Sequence, residues 1–288
     1  MNNKKNVFLW TLYDFANSIV SVVFFLYFAQ WIVIDMKVPD IYFNLTFTIS
    51  ALFLLFTVPL TGALLDKSWR RISGLRYSTI LTALFYGLCA LASISSHSTI
   101  ALLFFTLGIY SYLLSFTFYT PLLNDIAPPE KIGRVSGWGI SANYVGQFVG
   151  LLIVLPISNG TISLFGSSPR AETLLPSVVI FFLFALPMLL FFKEPKKEVP
   201  KLSEKSIIKT TLKETKLLLS VSSVGFFLLA YFLFNDAILT AVNNFPIFLE
   251  QVWNISDTVK TYLLLGVLVT CGIGGALSGF VADRFGSK

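Results

Sequence analysis

The sequence predicts an all-α protein that crosses a membrane many times. Of its 288 residues, 55% are hydrophobic and only 12% are charged, whereas soluble domains carry about 25% charged residues. The apolar residues also form long unbroken runs rather than the one-sided stripe of a soluble amphipathic helix. A chain with these two features cannot form a continuous polar surface in contact with water. Lipid is therefore the expected environment of most of the chain.

Eight apolar segments are long enough to cross a bilayer, because about 20 residues of α-helix span its hydrocarbon core. Helices are expected because lipid satisfies no backbone polar group. The first segment is too long for the apolar core of a signal peptide, which has about 7–15 residues. The predicted spans are Val7–Ile34, Ile41–Leu65, Leu75–Ser95, Thr99–Leu123, Val135–Ile157, Leu174–Phe192, Val221–Leu249 and Val259–Val281.

Basic residues predict which ends of the spans face the cytoplasm, because cytoplasmic loops are enriched in Lys and Arg. With the N-terminus inside, 18 of the 21 Lys and Arg residues fall on the cytoplasmic side. Only Lys37, Arg170 and Lys260 are then assigned to the outer side. The sequence therefore predicts a multi-pass protein of the cell membrane with a cytoplasmic N-terminus, and we expect no basic residue within a span.

A polar loop after span six divides the chain. It begins at Lys193 and is the one sustained polar stretch in the sequence. Its Lys residues either mark topology in a solvated linker or attract anionic lipid headgroups. We therefore predict a six-span half over residues 1–192, a cytoplasmic linker over 193–220, and a second part with spans seven and eight over 221–288.

Two similar segments follow spans two and eight. In each, an Asp follows a Gly by four residues and basic residues come after it, and the two copies are separated by 217 residues. A parallel repeat of this kind is typical of transporters built from two halves. The candidate gating residues are Gly62, Asp66, Arg70 and Arg71 in the first copy, and Gly279, Asp283 and Arg284 in the second; Gly62 matches Gly279 and Asp66 matches Asp283.

The second copy resembles the G-x-L-x-D-R-x-G-R/K loop of the major facilitator superfamily, whereas the first copy departs from it at Trp69, where the family usually has Gly. Three further segments resemble the vacuole-effluxer-like branch, which is related to an autophagy protein that exports amino acids. They are YDFANS at Tyr13–Ser18, PEKIGRVSG at Pro129–Gly137 (with Glu130, Arg134 and Gly137), and FND at Phe234–Asp236.

This resemblance implies the major facilitator fold, with a six-span N-terminal half followed by the first two spans of the C-terminal half. Members normally have twelve spans, so we expect this chain to be a fragment or a truncated gene product that ends after its eighth span. The branch implies transport of an amino acid or a similar solute.

Two acidic residues lie well inside predicted spans, where an ionisable group marks a functional site by default. Asp14 is in span one and Asp236 in the equivalent span seven, so both are expected to line the cavity between the halves. Without a basic partner, such a carboxylate either holds a proton or pairs with a cationic group of the substrate. Alternatively, it bonds a neighbouring span and only fixes packing. The predicted substrate and proton site comprises Asp14, Asn17, Asn235, Asp236 and Asn243, with further amides at Asn143 and Gln147 of span five.

The acids of the two repeat segments predict gates. Asp66 and Asp283 are able to accept hydrogen bonds from the free N–H groups at the start of a facing helix. The family resemblance implies that Asp283 faces the start of span five near Gly137, and that Asp66 faces an eleventh span. Alternatively, Gly62 and Gly279 only permit turns, and the basic residues beside them only set the topology.

We therefore predict a secondary active transporter that moves a small solute by alternating access and that is not an enzyme. A membrane-embedded enzyme would need a nucleophile–base pair or a metal cluster, and we identify neither. A lipid flippase or scramblase on the same fold and a non-transporting sensor or scaffold remain as alternatives. We expect no cofactor, metal or nucleic-acid partner, and we interpret Cys89 and Cys271 as packing residues buried in separate spans.

Overall fold

The computed structural model describes the backbone of residues 2–67, 70–128, 131–194 and 222–285. It describes their side chains except at residues 2–3, 60, 62–67, 222 and 274–285. All regular structure in these ranges is helical, with eight long helices numbered here in chain order. They are α1 Asn2–Val23, α2 Asp40–Lys67, α3 Arg71–Ile94, α4 Ser98–Tyr119, α5 Ile132–Ser158, α6 Leu174–Phe191, α7 Ser222–Trp253 and α8 Asp257–Phe285.

A helix lies at each of the eight predicted spans, with ends that differ by a few residues. Over the described residues, α1 to α7 are long and apolar enough to cross a membrane. The short connections contain a 3₁₀ turn at Thr120–Leu122 and one-turn helices at Leu123–Ile126 and Pro169–Glu172. Most of the predicted linker, residues 195–220, lies outside the described residues.

The first span continues beyond α1 through two π-helical stretches, Phe24–Phe28 and Trp31–Asp35. It is the most deeply buried of the candidate spans. A π-helical turn inserts an extra residue per turn and is often found at functional sites. We call the end of the bundle where α1 begins the near end, and the end where this span reaches Asp35 the far end.

Aromatic rings join the first span to α2, α3 and α4 in the core of the first six helices. The ring of Phe24 stacks on Tyr86 of α3 with 4.2 Å between ring centres, and Phe28 lies 4.5 Å from Phe105 of α4. Phe43 of α2 stacks on the same Phe105 ring at 5.7 Å. Such pairs contribute about 0.5–1.5 kcal/mol each beyond the burial of their area, so they tie four helices into one unit.

Glycines of α5 allow the first span to approach closely. A Cβ atom at Gly146 would lie 2.1 Å from the Ser18 hydroxyl and 2.4 Å from the Phe15 carbonyl oxygen. At Gly139 it would lie 2.6 Å from the Trp10 ring. Small residues at helix contacts are the usual means of close packing in membranes, so α1 and α5 depend on these positions.

Residue size predicts close helix packing at Gly137, Gly139, Gly146 and Gly150 of span five, and buried thiols are predicted at two cysteines. One glycine and one cysteine differ from these predictions. Gly137 does not share the role of the other glycines, because a Cβ there would meet nothing within 4 Å. Cys89 is buried as predicted, but the prediction of a buried thiol is wrong for Cys271, which is exposed. The reason is that this level of α8 has little cover from the described part of the chain.

Candidate functional site

Helices α7 and α8 meet the first six helices at the far end. In the described part of α7, the buried residues lie between Pro246 and Leu249, and in that of α8 they are Lys260, Thr261 and Leu265. Towards the near end, Phe226 and Phe234 of α7 are 73% and 66% exposed. Among the described residues, the interface is therefore closed at the far end and open towards the near end.

Five charged side chains form what we call the far-end network: Asp35, Arg170, Glu250, Asp257 and Lys260. The Arg170 guanidinium lies at its centre and contacts three carboxylates, with N–O distances of 2.7 Å to Asp35, 2.5 Å to Glu250 and 2.6 Å to Asp257. Asp35 and Arg170 belong to the first six helices and their loops, whereas Glu250 and Asp257 belong to α7 and α8. The network therefore bridges the two parts of the protein.

Lys260 corrects the expectation that no basic residue lies within a span. It is on α8 and only 1% exposed, and its ammonium group lies 2.5 Å from Glu250 and 2.6 Å from Asp257. It also donates a hydrogen bond to the Gln30 amide oxygen of the first span. The ammonium group is tolerated there because two carboxylates and an amide replace the water that it loses.

Local structure places each member of the network. Arg170 lies on the one-turn helix Pro169–Glu172, and the Glu172 carboxylate holds the preceding loop by accepting bonds from the Leu164 and Ser167 N–H groups at 2.5 and 2.7 Å. Asp257 begins α8, where the helix dipole favours an acid. The Ser168 hydroxyl donates to Asp35 at 2.6 Å. The network is therefore supported by helix ends and by the loop that Glu172 holds in place.

Neutral hydrogen bonds reinforce the same interface. Asn44 of α2 and Asn244 of α7 exchange two amide bonds of 3.1 Å, and the hydroxyl groups of Tyr27 and Thr261 lie 2.7 Å apart. The sequence alone does not predict this set of contacts. Lys260 inside an apolar segment was the one signal that pointed to it.

Asp14 lies on the face of α1 that meets α5. Its carboxylate accepts a hydrogen bond of 3.3 Å from the Asn143 amide, whose own oxygen accepts one of 2.7 Å from Gln147. Trp10 and Tyr119 stack beside it, with 4.8 Å between ring centres. Among the described side chains, no basic group forms an ion pair with Asp14. This half-buried acid therefore has amide neighbours and an aromatic wall.

Asn17, predicted to act with Asp14, is fully buried beside the Tyr13 hydroxyl within the first six helices. That hydroxyl lies 2.7 Å from the Thr79 hydroxyl of α3. Asn17 therefore belongs to the polar interior of this helical unit, while Asp14 faces α5.

The predicted residues of α7 lie apart from Asp14. Asp236 is exposed, Asn243 is half-buried, and the Asn235 amide donates to the Tyr231 carbonyl oxygen of its own helix at 2.8 Å. Among the described contacts, no hydrogen bond joins them to the Asp14 group. The structure thus presents two separate polar groups, one on each side of the interface.

At the near end, the predicted gating residues have mixed placements. Arg71 pairs with Asp125 at 2.7 Å within the first six helices, while Arg70 and Arg134 are exposed. Glu194 accepts hydrogen bonds of 3.1 Å from the N–H groups of Arg71 and Ile72, so it caps the start of α3. The backbone at Gly62, Asp66, Gly279, Asp283 and Arg284 is helical, but their side chains, and Glu130 altogether, lie outside the described residues.

The chain was compared with known proteins. The family model of the Major Facilitator Superfamily matches residues 2–151 and again residues 139–288. A search of curated proteins gives no match. Among solved structures, the chain is similar to a bacterial homolog of the human lysosomal transporter Spinster, solved in an inward-facing and unoccupied conformation, with a TM-score of 0.64 and 17% identity.

That match covers 99% of this chain and 63% of the other, so the chain spans less than two thirds of the length of the structure it matches. At this identity the match shows the fold. Because the family model covers nearly every residue, the chain belongs to the Major Facilitator Superfamily, a family of membrane transporters.

Proposed function

We propose that the protein is a secondary carrier that moves a small solute, an amino acid or a similar molecule, by alternating access. One observation carries the proposal: the far-end network joins α7 and α8 to the first six helices, while the same helices are exposed towards the near end. A carrier of this kind works by rocking two units about a central site. The geometry supports one of its two states, with the far end closed.

We assign the near end to the cytoplasm, because 18 of the 21 basic residues fall on that side of the predicted topology. The state described here is then inward-facing, the state in which the similar bacterial structure was solved. The moving units would be residues 1–192 and 221–288, joined by the linker at 193–220. The protein would function in the cell membrane.

We assign the central polar role to Asp14. A half-buried carboxylate with an amide neighbour and no ion pair among the described side chains attracts either a proton or the ammonium group of a substrate. The buried Trp10–Tyr119 pair stacks beside this carboxylate and limits the water that reaches it. The carboxylate supports a carrier for amino acids, the class that resemblance to the vacuole-effluxer-like branch suggests.

Replacing Asp14 with Asn is expected to abolish proton-driven accumulation while solute exchange across the membrane continues. The amide keeps the shape and the bond to the Asn143 side chain, but it cannot carry a proton. Proteoliposomes with an imposed proton gradient, tested with a mixture of radiolabelled amino acids, measure accumulation, and preloaded vesicles measure exchange.

Asp40→Asn is the matched control, because Asp40 is an exposed acid at the start of α2. Accumulation by the Asp14 variant at the rate of the control would disprove the proton role. The same vesicles carrying a fluorescent phospholipid would test the flippase alternative, which predicts lipid movement without amino-acid uptake.

The proposed orientation predicts opposite labelling of two cysteines in intact cells. Thr161 is exposed in the loop before α6 at the far end, and Lys131 is exposed before α5 at the near end. An impermeant maleimide added outside is expected to label Thr161→Cys alone, in a background with Cys271 replaced by Ser. Labelling of Lys131→Cys alone would reverse the orientation and with it the inward-facing assignment.

A further inference from the structure

A groove on the lipid-facing side of the first six helices runs between α3 and α6 near the near end. It has a volume of about 400 Å³ and is lined by Arg76, Ile80, Phe182, Leu186, Leu189 and Leu190. All of these except Arg76 are apolar. A groove in this position lies beside hydrocarbon chains, and its volume suits one chain rather than a whole lipid.

Arg76 is the single charged group of the groove. Its Nε–H donates a 2.6 Å hydrogen bond to the Leu189 carbonyl oxygen in the last turn of α6. The N–H group of Lys193, which would continue the helical pattern to that oxygen, points instead to the Asn6 side chain at 3.5 Å. Arg76 therefore donates to a carbonyl oxygen at the helix end that has no backbone N–H partner among the described residues, and this bond fixes the position of its guanidinium group.

The rest of this guanidinium group has donors to spare. An Arg side chain carries five N–H donors. Within the described part of the chain, Arg76 uses one of them, the Nε–H group, in a hydrogen bond. No described carboxylate pairs with it. Phosphate oxygens are the acceptors that a planar guanidinium fork fits best.

Arg76 lies near the start of α3, at the end of a predicted span where lipid headgroups are expected. It lies five residues after Arg71, the first residue of α3, which is about 7.5 Å along the helix at 1.5 Å per residue. A long basic side chain at this depth reaches the interface where phosphate groups lie. On the other flank of α6, the Lys5 ammonium group lies 5.3 Å from the centre of the Phe191 ring, so both flanks of this helix end carry positive charge.

We propose that this groove binds an anionic phospholipid, with the phosphate on Arg76 and one acyl chain between α3 and α6. Charge complementarity selects the headgroup, and the apolar wall from Ile80 to Leu190 holds the chain. The bound lipid would clamp α3 against α6 within the first six helices. This inference concerns a site separate from Asp14 and from the far-end network, so it does not depend on the transported solute.

Native mass spectrometry of the purified protein tests the site. Phosphatidylglycerol and phosphatidylcholine with identical acyl chains are titrated in parallel, and glycerol 3-phosphate serves as the headgroup without chains. One basic residue near a membrane surface favours an anionic lipid by about 1 kcal/mol, so we expect an approximately five-fold preference for phosphatidylglycerol. Glycerol 3-phosphate is expected to bind far more weakly.

Two variants separate headgroup from chain recognition. Arg76→Gln is expected to remove the preference, whereas Ile80→Trp fills the groove and is expected to weaken binding of both lipids alike. Lys131→Gln is the control, because it removes an exposed charge at the same end without touching the groove. Thermal unfolding of each variant without lipid shows that it is folded.

Three results would overturn the proposal. They are equal binding of the two lipids by the unmodified protein, a preference that persists in Arg76→Gln, or binding of glycerol 3-phosphate as tight as that of phosphatidylglycerol. The last would identify a site for free phosphates instead of lipids.

Discussion

Replacing Arg170 with Ala is expected to open the far end of the interface. The change leaves Glu250 and Asp257 paired with Lys260, whereas Asp35 loses its ion-pair partner in the network. Breaking a buried ion pair costs about 3–5 kcal/mol, and because these side chains are up to 27% exposed we expect a value near 3 kcal/mol. A shift of this size changes the ratio of closed to open forms by about 100-fold.

Labelling of a buried cysteine measures this opening. Ile247 of α7 is only 3% exposed in the closed interface. In a Cys271→Ser background, a maleimide is expected to modify Ile247→Cys at least about ten times faster when Arg170 is replaced by Ala. Lys37→Gln is the matched control, because Lys37 is an exposed basic residue at the far end outside the network. Equal labelling rates with and without the Arg170→Ala change would mean that the network does not hold the interface closed.

Replacing Gly146 with Ala is expected to destabilise the first six helices. The new methyl group would lie 2.1 Å from the Ser18 hydroxyl and 2.4 Å from the Phe15 carbonyl oxygen. The serine side chain is able to rotate away, but the carbonyl belongs to the backbone, so α1 and α5 must separate. Overpacking of this kind costs about 1–3 kcal/mol, and we expect a clear fall in the midpoint of thermal unfolding.

Gly137→Ala on the same helix is the control for this prediction. Nothing lies within 4 Å of its Cβ position, and Ala is favoured over Gly inside a helix by up to about 1 kcal/mol. This variant is therefore expected to unfold at the same or a higher temperature. If both variants unfolded at the temperature of the unmodified protein, close α1–α5 packing would not contribute to stability.

The spans could be predicted because length and hydrophobicity alone decide whether a segment crosses lipid. The π-helical stretches at Phe24–Phe28 and Trp31–Asp35 could not, since neither Gly nor Pro marks them and they depend on how the first span packs. The close packing of Gly139, Gly146 and Gly150 followed from residue size. Gly137 differs because it faces away from the first span, which composition does not reveal.

The candidate site was predicted less completely. Asp14 stands out because an acid in a membrane span is rare, and the amides at Asn143 and Gln147 were noted with it. The far-end network was missed because Asp35, Arg170 and Asp257 lie near the ends of spans, where charges are ordinary. They form a network only because helices far apart in the sequence bring them together, and a local sequence pattern does not predict such contacts.

Two distances in one protein test most directly whether the network belongs to an alternating-access cycle. Nitroxide labels at Tyr42 and Val252, both exposed near the far end, report on that end. Labels at Trp138 of α5 and Phe226 of α7, also exposed, report on the near end. Pulsed electron paramagnetic resonance in lipid nanodiscs is expected to give a short far-end distance and a long near-end distance in the unmodified protein.

In the Arg170→Ala variant, we expect the far-end distance to lengthen and the near-end distance to shorten together. A far-end distance that changes while the near-end distance stays constant, or no change in either, would contradict the account.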